Sequence, residues 1–129
     1  MAKRYEQDIR ERAFKLGARV FWLYPRLAAC GVGHAVLALQ MMKAVTSAGS
    51  QLEEGAAPSS RRDMAHKYGI ALRESREGRF WARLLQTDPQ WTEELQDVVA
   101  ELTEFVAMLT TAVKRLRQPP KVPTTEPTA

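Results

Sequence analysis

The strongest constraint on the fold is the spacing of apolar residues near the end of the chain. They recur at alternating steps of four and three residues: Leu95, Val99, Leu102, Val106, Leu109, Val113 and Leu116. This spacing places them on one stripe of an α-helix. Val98, Phe105 and Ala112 stand beside the stripe. The pattern predicts a long helix with one buried side.

Three further helical segments precede this one. The four segments cover about residues 6–24, 34–54, 60–86 and 89–117. Pro25 is expected to end or kink the first helix, and the pair Asp88 and Pro89 is expected to start the fourth. Ser60 and Asp63 resemble a capping box at the start of the third. Short connections make neighbouring helices run antiparallel. We therefore expect residues 1–117 to form an all-α, up-down-up-down four-helix bundle, followed by a disordered Pro- and Thr-rich tail over residues 118–129.

Two apolar patterns exceed what a simple bundle needs. The second helix is apolar almost all round, which is typical of a central, buried helix. The first helix carries Phe14 and Phe21 on a different side from its main stripe. A second apolar stripe suggests wide burial or contact with another subunit.

Composition limits the location of the protein. The formal net charge is +4, and no apolar stretch reaches the length of a membrane span. The charged N-terminus lacks the apolar core of a secretory signal, so we expect a cytoplasmic protein with no membrane partner. Cys30 is the single cysteine, which excludes an internal disulfide.

Two glutamates of the third helix lie among apolar residues. Glu74 and Glu77 are one turn apart and share an arc with Ile70, Trp81 and Leu84. A part-buried carboxylate needs a polar partner. The expected structural polar network consists of Gln40, Gln51, Glu54, Glu74 and Glu77, with Lys43 as a further candidate. A di-iron site needs Glu-x-x-His on two helices, and neither His34 nor His66 fits, so we expect no metal and no cofactor. With no nucleophile or oxyanion site in the pattern, we expect no catalytic residues and no enzyme.

The third helix also carries an arginine face. This face is defined by Arg61, Arg62, Arg73, Arg76, Arg79 and Arg83. Arginine favours recognition of phosphate or carboxylate. Two interpretations stay open: the arginine face binds RNA or DNA, or it meets the acidic start of the fourth helix of another subunit, which carries Glu93, Glu94, Asp97 and Glu101.

The order of short motifs resembles one bacterial family. The motifs are Gln40–Ala44, Gln51–Gly55, Ser59–Asp63, Ile70–Glu77 and Trp81–Leu85. Their order and spacing are similar to those of the four-helix bundle proteins that are also called 23S rRNA intervening-sequence proteins or S23-like proteins. The similarity covers about residues 9–116. It departs at Gln51, where the family usually has Asn, and at Met42, where Arg is common.

The resemblance implies a fold and an assembly rather than a reaction. Members of this family form antiparallel four-helix bundles that assemble as homopentameric rings. A related branch, the accessory variability protein of diversity-generating retroelements, binds nucleic acid. The resemblance thus implies a non-enzymatic homo-oligomer that binds nucleic acid or a nucleoprotein. The alternative is a purely structural or protein–protein interaction module.

Overall fold

The computed structural model describes residues 2–57 and 59–119, with side chains from residue 8 onward. It contains four helices: α1 (Ala2–Ala28), α2 (Val32–Gly55), α3 (Arg61–Leu85) and α4 (Gln96–Arg117). The described ranges hold no strand, which confirms the all-α prediction. Most of the predicted tail, from residue 120 onward, lies outside the described residues.

Helix α1 passes through Pro25 and ends three residues later. Of the two effects expected of Pro25, an end of the helix is not observed, because the residues after Pro25 keep their own backbone donors and continue the helix to Ala28. The following turn is kept: the Ala29 amide donates to the Pro25 carbonyl at 3.1 Å, and Leu27 is fully buried. Gly31 then reverses the chain with φ 137°, a value that favours glycine.

Helix α3 begins at the predicted cap. The Asp63 amide donates to Ser60 Oγ at 3.0 Å, and the Ser59 amide donates to Asp63 Oδ2 at 3.3 Å. The Ser60 side chain thereby satisfies one backbone donor that the first helical turn leaves open, and Asp63 binds the amide of the residue before the cap. The predicted cap at Ser60 is confirmed, but the return bond of a capping box comes from the Ser59 amide instead of the Ser60 amide.

Turns connect α3 to α4, so the predicted start of the fourth helix at residue 89 is wrong. The Trp91 amide donates to the Asp88 carbonyl at 2.8 Å, and the continuous helix begins only at Gln96. Asp88 and Pro89, the residues expected to start the helix, therefore lie in a hydrogen-bonded turn. Trp91 and Leu95 are buried in this segment, 3% and 0% exposed. His34 Nε2 lies 2.8 Å from Asp88 Oδ2 and ties the turns to the start of α2.

Small residues set where the helices approach one another. Gly49 of α2 faces Ala13 of α1, because a Cβ built on Gly49 would lie 3.7 Å from the Ala13 Cβ. Gly78 of α3 faces both neighbours: its Cβ would lie 3.2 Å from Val45 of α2 and 3.5 Å from Leu102 of α4. Helix α3 therefore packs closely against α2 and α4.

The core follows the predicted stripes with one shift. In α4, Val98 and Phe105 are fully buried, whereas Val99 and Val106 are only partly buried. The buried side of α4 is therefore rotated toward the residues expected beside the stripe. Helix α2 is not buried all round in this single chain; three of its apolar side chains are exposed: Val32, Val36 and Leu39.

In the described part of the chain, none of the helices combines the length and apolarity needed to cross a membrane.

Candidate functional site

Three arginines of α1 are joined to acids of α4 and to Glu94, which lies in the turns just before α4. Arg12 donates from Nε to Glu101 Oε2 at 2.9 Å and from Nη2 to Glu101 Oε1 at 2.7 Å, and it also bonds Glu104. The Arg12 guanidinium lies over the Phe105 ring, 5.6 Å from the centroid. The hydrogen bonds that Arg12 donates to Glu101, and then to Glu104, raise the pKa of Arg12 above its ordinary value. This pair is bidentate and part-buried, with side chains 26% and 27% exposed.

The other two arginines continue the same row. Arg19 donates to Asp97 Oδ2 at 2.9 Å and to the Glu94 carbonyl at 2.9 Å, and Arg26 donates to Glu94 Oε2 at 3.2 Å. The hydrogen bond from Arg26 is the main cause of a lowered pKa at Glu94. The hydrogen bond to Asp97 likewise raises the pKa of Arg19. We refer to these contacts as the α1–α4 ion pairs.

Sequence reasoning missed the α1–α4 ion pairs, although a signal existed. The arginines recur every seven residues, at Arg12, Arg19 and Arg26, and the acids recur at steps of three or four: Glu94, Asp97, Glu101 and Glu104. Both spacings place each set on one side of its helix. Most of the acids that the sequence offered as partners for the arginine face of another subunit are therefore paired within the chain.

The arginine face of α3 contrasts with these pairs. Arg62, Arg73, Arg76 and Arg83 are exposed, and Arg79 is half-buried. Among the residues that the structure describes, none of these five has an ion pair or a side-chain hydrogen bond. Phe80 lies among them with 55% of its surface exposed, and it meets the Trp81 ring edge-on at 5.1 Å.

Arg61, the sixth member of the arginine face, has a different position. Its Nη2 donates to the Arg115 carbonyl at 2.9 Å, and its Nε donates to the Leu116 carbonyl at 3.2 Å. Arg61 therefore caps the C-terminal end of α4, where helix carbonyls lack partners within the helix.

The predicted polar network does not form within one chain. Gln40 and Glu54 are separated by fourteen residues of α2, or about 21 Å of helix at 1.5 Å per residue, so the five predicted members cannot meet at one place. Within the described ranges, no hydrogen bond joins Gln40, Gln51, Glu54 or Glu74 to another member. Glu77 is exposed and instead accepts from Trp81 Nε1 at 3.2 Å.

Glu74 is half-buried beside the arginine face. Burial is the main cause of a raised pKa for its carboxyl, repulsion from Glu77 adds to it, and Arg73 opposes it. The expectation of a part-buried carboxylate on α3 thus holds for Glu74 but not for Glu77. Glu74 also has no hydrogen bond to Lys43, the other candidate partner, in the described part of the chain.

The described residues offer no cluster of three His, Cys, Asp or Glu side chains that could hold a metal ion. Cys30 is exposed, and its Sγ donates to the Arg26 carbonyl at 3.4 Å. His34 and Asp88 form the tie between α2 and the turns described above.

An apolar groove runs between α1 and α2. It has a volume of about 470 Å³ and a floor of small residues that includes Ala13, Gly17 and Gly49. Phe14 and Phe21 wall it and are 75% and 57% exposed. The second stripe predicted for the first helix therefore faces solvent in the single chain.

Comparisons with known proteins place the chain in a family. A crystal structure at 1.70 Å of a protein with unknown function, from the S23 ribosomal protein family of Bacteroides thetaiotaomicron VPI-5482, aligns with a TM-score of 0.75 and 25% identity. The alignment covers 84% of this chain and 97% of that one. No curated protein matches the chain. The family model of the 23S rRNA-intervening sequence protein matches residues 5–111, and the chain therefore belongs to this family.

Proposed function

We propose that this protein is a non-enzymatic, homo-oligomeric four-helix bundle that binds nucleic acid through the arginine face of α3. The observation that carries the proposal is a surplus of exposed arginines without partners on one helix. Arg62, Arg73, Arg76 and Arg83 span twenty-one residues, or about 31 Å of helix, which is long enough to follow several phosphates of a strand.

Three of the four acids that could have neutralised this face are engaged elsewhere, and Glu93 is the exception among the described residues. Glu94, Asp97 and Glu101 pair with Arg26, Arg19 and Arg12 of the same chain, respectively. A contact between the arginine face and these acids of another subunit would have to break those pairs. This cost favours nucleic acid over a charge-matched subunit contact as the partner of the arginine face.

The up-down-up-down arrangement is part of the same proposal. Contacts between successive helices join opposite ends: Ala13 of α1 meets Gly49 near the end of α2, and Gly55 at the end of α2 meets Tyr68 in the early part of α3. Arg61 likewise reaches Leu116. Such pairings, together with short connections, support antiparallel neighbours.

Assembly as a homopentameric ring is supported by apolar surface that one chain leaves uncovered. Phe14, Phe21 and Trp22 on α1 and Val36 and Leu39 on α2 are all more than 40% exposed. Large exposed apolar side chains grouped on neighbouring helices are typical of a protein–protein contact surface. The subunit number of five follows from the family resemblance.

Light scattering after size exclusion tests the assembly. We expect a mass near five times the 14.6 kDa of the chain. The Phe14→Ser/Phe21→Ser variant should have a smaller mass than the wild type. The control is Phe80→Ser, which replaces an exposed aromatic residue of the arginine face and should leave the mass unchanged. A monomeric wild type, or an oligomer that survives Phe14→Ser/Phe21→Ser unchanged, would contradict assembly through this groove.

Fluorescence anisotropy with labelled RNA and DNA duplexes tests nucleic-acid binding. Binding should weaken between about 50 and 200 mM salt, because phosphate contacts release counterions. Arg73→Gln/Arg76→Gln should lower the affinity and reduce the log–log salt slope by about 1 for each phosphate that the variant no longer neutralises.

A matched control separates the arginine face from net charge. Lys15→Gln/Lys114→Gln removes the same charge from exposed positions on α1 and α4. This control should bind nearly as well as the wild type. Equal weakening in both variants would indicate diffuse attraction to a basic protein rather than a binding face.

The second candidate function is a structural or protein–protein interaction module without nucleic acid. The groove between α1 and α2 favours this second function. Its sides are formed by exposed phenylalanines and its base by small residues, so it can accept an apolar side chain of a partner protein. An assembled protein that binds neither RNA nor DNA at any salt concentration would favour this module. For either function we propose that the protein is cytoplasmic. The exposed, unpaired Cys30 suits a reducing compartment.

A further inference from the structure

We infer that the end of the bundle where α3 begins and α4 ends binds a terminal phosphate monoester of a nucleic-acid strand. The inference rests on the proposed function, since it names the chemical group that this end of the arginine face recognises. We call the site the terminal cleft. Its lining residues are Arg61, Arg62, Ala65, His66, Leu116, Arg117 and Gln118.

The terminal cleft is concave and basic. It has a volume of about 540 Å³, and its lining includes three guanidinium groups and one imidazole but no carboxylate. The nearby Asp63 is engaged elsewhere: Lys67 donates to its Oδ2 at 3.1 Å and lowers the pKa of its carboxyl. The charge that an anion meets in the cleft is therefore positive.

Arg61 is held in place before any ligand arrives. Its two hydrogen bonds to the carbonyls of Arg115 and Leu116 fix the guanidinium between α3 and α4. These bonds also cover oxygen atoms at the C-terminal end of α4 that would otherwise repel an anion. The remaining N–H groups of Arg61 are available to a phosphate oxygen.

Arg117 reaches across α3 where a side chain is missing. A Cβ on Gly69 would lie 3.1 Å from Arg117 Nη2, so the guanidinium occupies space that glycine leaves open. Gly69 follows His66 by three residues and precedes Arg73 by four, which puts all three on one side of α3. The terminal cleft is thus continuous with the arginine face.

The charge of the cleft selects the kind of phosphate. Three arginines stay protonated at any physiological pH, and their mutual repulsion is best relieved by an anion with more than one charge. A phosphodiester carries a single negative charge, whereas a terminal monoester carries between about 1.5 and 2 at neutral pH. Planar guanidinium groups also match the oxygens of a phosphate in pairs. The terminal cleft lies at one end of the arginine face, so a strand that follows this face can place its terminal phosphate there.

The test compares three single-stranded oligonucleotides of one sequence, carrying a 5′ phosphate, a 3′ phosphate or no terminal phosphate. Wild-type protein should bind at least one phosphorylated form on the order of tenfold more tightly than the unphosphorylated form, as expected for charge-assisted hydrogen bonds. Arg117→Gln should abolish that preference. Gly69→Ala should reduce it, because the added methyl displaces Arg117.

Arg83→Gln is the matched control. It removes the same charge from the other end of the arginine face, so it should weaken all three oligonucleotides alike and keep the preference. Circular dichroism of each variant checks that the helices are intact. Equal affinity for the three oligonucleotides in the wild type, or a preference that survives Arg117→Gln, would overturn the terminal-phosphate site while leaving nucleic-acid binding in place.

A failure of the proposed function gives a different result. If the wild type binds none of the oligonucleotides, titration calorimetry with a nucleoside monophosphate decides the matter. If the monophosphate binds the wild type and Arg83→Gln but not Arg117→Gln, the terminal cleft is a site for a free phosphate monoester. Absence of heat in this titration would overturn the site as well.

Discussion

Arginines stand in two contrasting settings on opposite sides of this bundle. On α1, Arg12 is part-buried and makes a bidentate pair with Glu101 across to α4. On the outward side of α3, Arg73 and Arg76 are exposed and have no partner among the described residues. The first setting has matched carboxylates and the second has none.

The difference between the two settings shows that the number of arginines alone does not indicate what each of them does. A paired, part-buried guanidinium holds two helices together, and its charge is cancelled where it stands. An unpaired, exposed guanidinium adds little to stability and keeps its charge for a ligand. Substitutions in the two settings should therefore affect different measurements: stability for the α1–α4 ion pairs, and ligand affinity for the arginine face.

Removing Arg12 should have the largest effect on stability. Arg12→Ala leaves the part-buried Glu101 without its partner, and we expect a loss of about 2 kcal/mol in the free energy of unfolding. Urea denaturation measures it. The matched Arg73→Ala should stay within about 0.5 kcal/mol of the wild type. Equal losses from Arg12→Ala and Arg73→Ala would erase the contrast between the two sides.

Exchanging the partners sharpens the same comparison. The variant Arg12→Glu/Glu101→Arg keeps opposite charges facing each other, whereas each single reversal puts like charges together. A double-mutant cycle in urea should give a coupling free energy of about 1 kcal/mol between positions 12 and 101. Additive effects would mean that Arg12 stabilises the bundle without Glu101, through Glu104 or by packing on Phe105.

Much of the fold follows from local sequence signals. Apolar periodicity predicts four helices, and Ser60 caps α3 as expected because the cap and the amide that it accepts from, on Asp63, lie within four residues. The sequence predicts helix where the turns before α4 lie, since Asp88 and Pro89 start a turn and a helix equally well. Burial of Trp91 distinguishes the two and depends on the packed helices.

The candidate site is less predictable from sequence. The periodicity of α3 is sufficient to place Arg73, Arg76 and Arg83 together on an exposed side. The partners of Glu74 depend on the register between α2 and α3, which no local pattern fixes. The α1–α4 ion pairs are visible as spacing, but assigning them requires knowing that α1 and α4 are neighbours. The sequence thus predicts which side of a helix a side chain lies on, but it does not predict which side chain of another helix it pairs with.

Acid should weaken the α1–α4 side in a way that depends on Arg26. The pKa of Glu94 is lowered, chiefly by Arg26, so this carboxylate contributes stability above its ordinary pKa of 4.5 and loses that contribution as the pH falls through the lowered value. Arg26→Gln should be slightly less stable than the wild type at neutral pH. Melting temperatures of the two proteins should converge below pH 4.5. A constant gap down to strongly acidic pH would exclude Glu94 as the cause.

Glu74 should show the smallest effect, and one of opposite sign. Burial raises the pKa of its carboxyl, so the ionised form is disfavoured in the folded state, and this cost is present above the raised pKa and disappears as the pH falls through it. Glu74→Gln should therefore stabilise the protein at neutral pH, by less than about 0.5 kcal/mol, and make no difference in acid. Glu77→Gln, at an exposed carboxylate bonded to Trp81, is the control and should bring no gain. A destabilised Glu74→Gln would mean that a cation from a second copy reaches this carboxylate. The side of α3 next to the arginine face would then be a subunit interface, and the structural module would become the better explanation of that face.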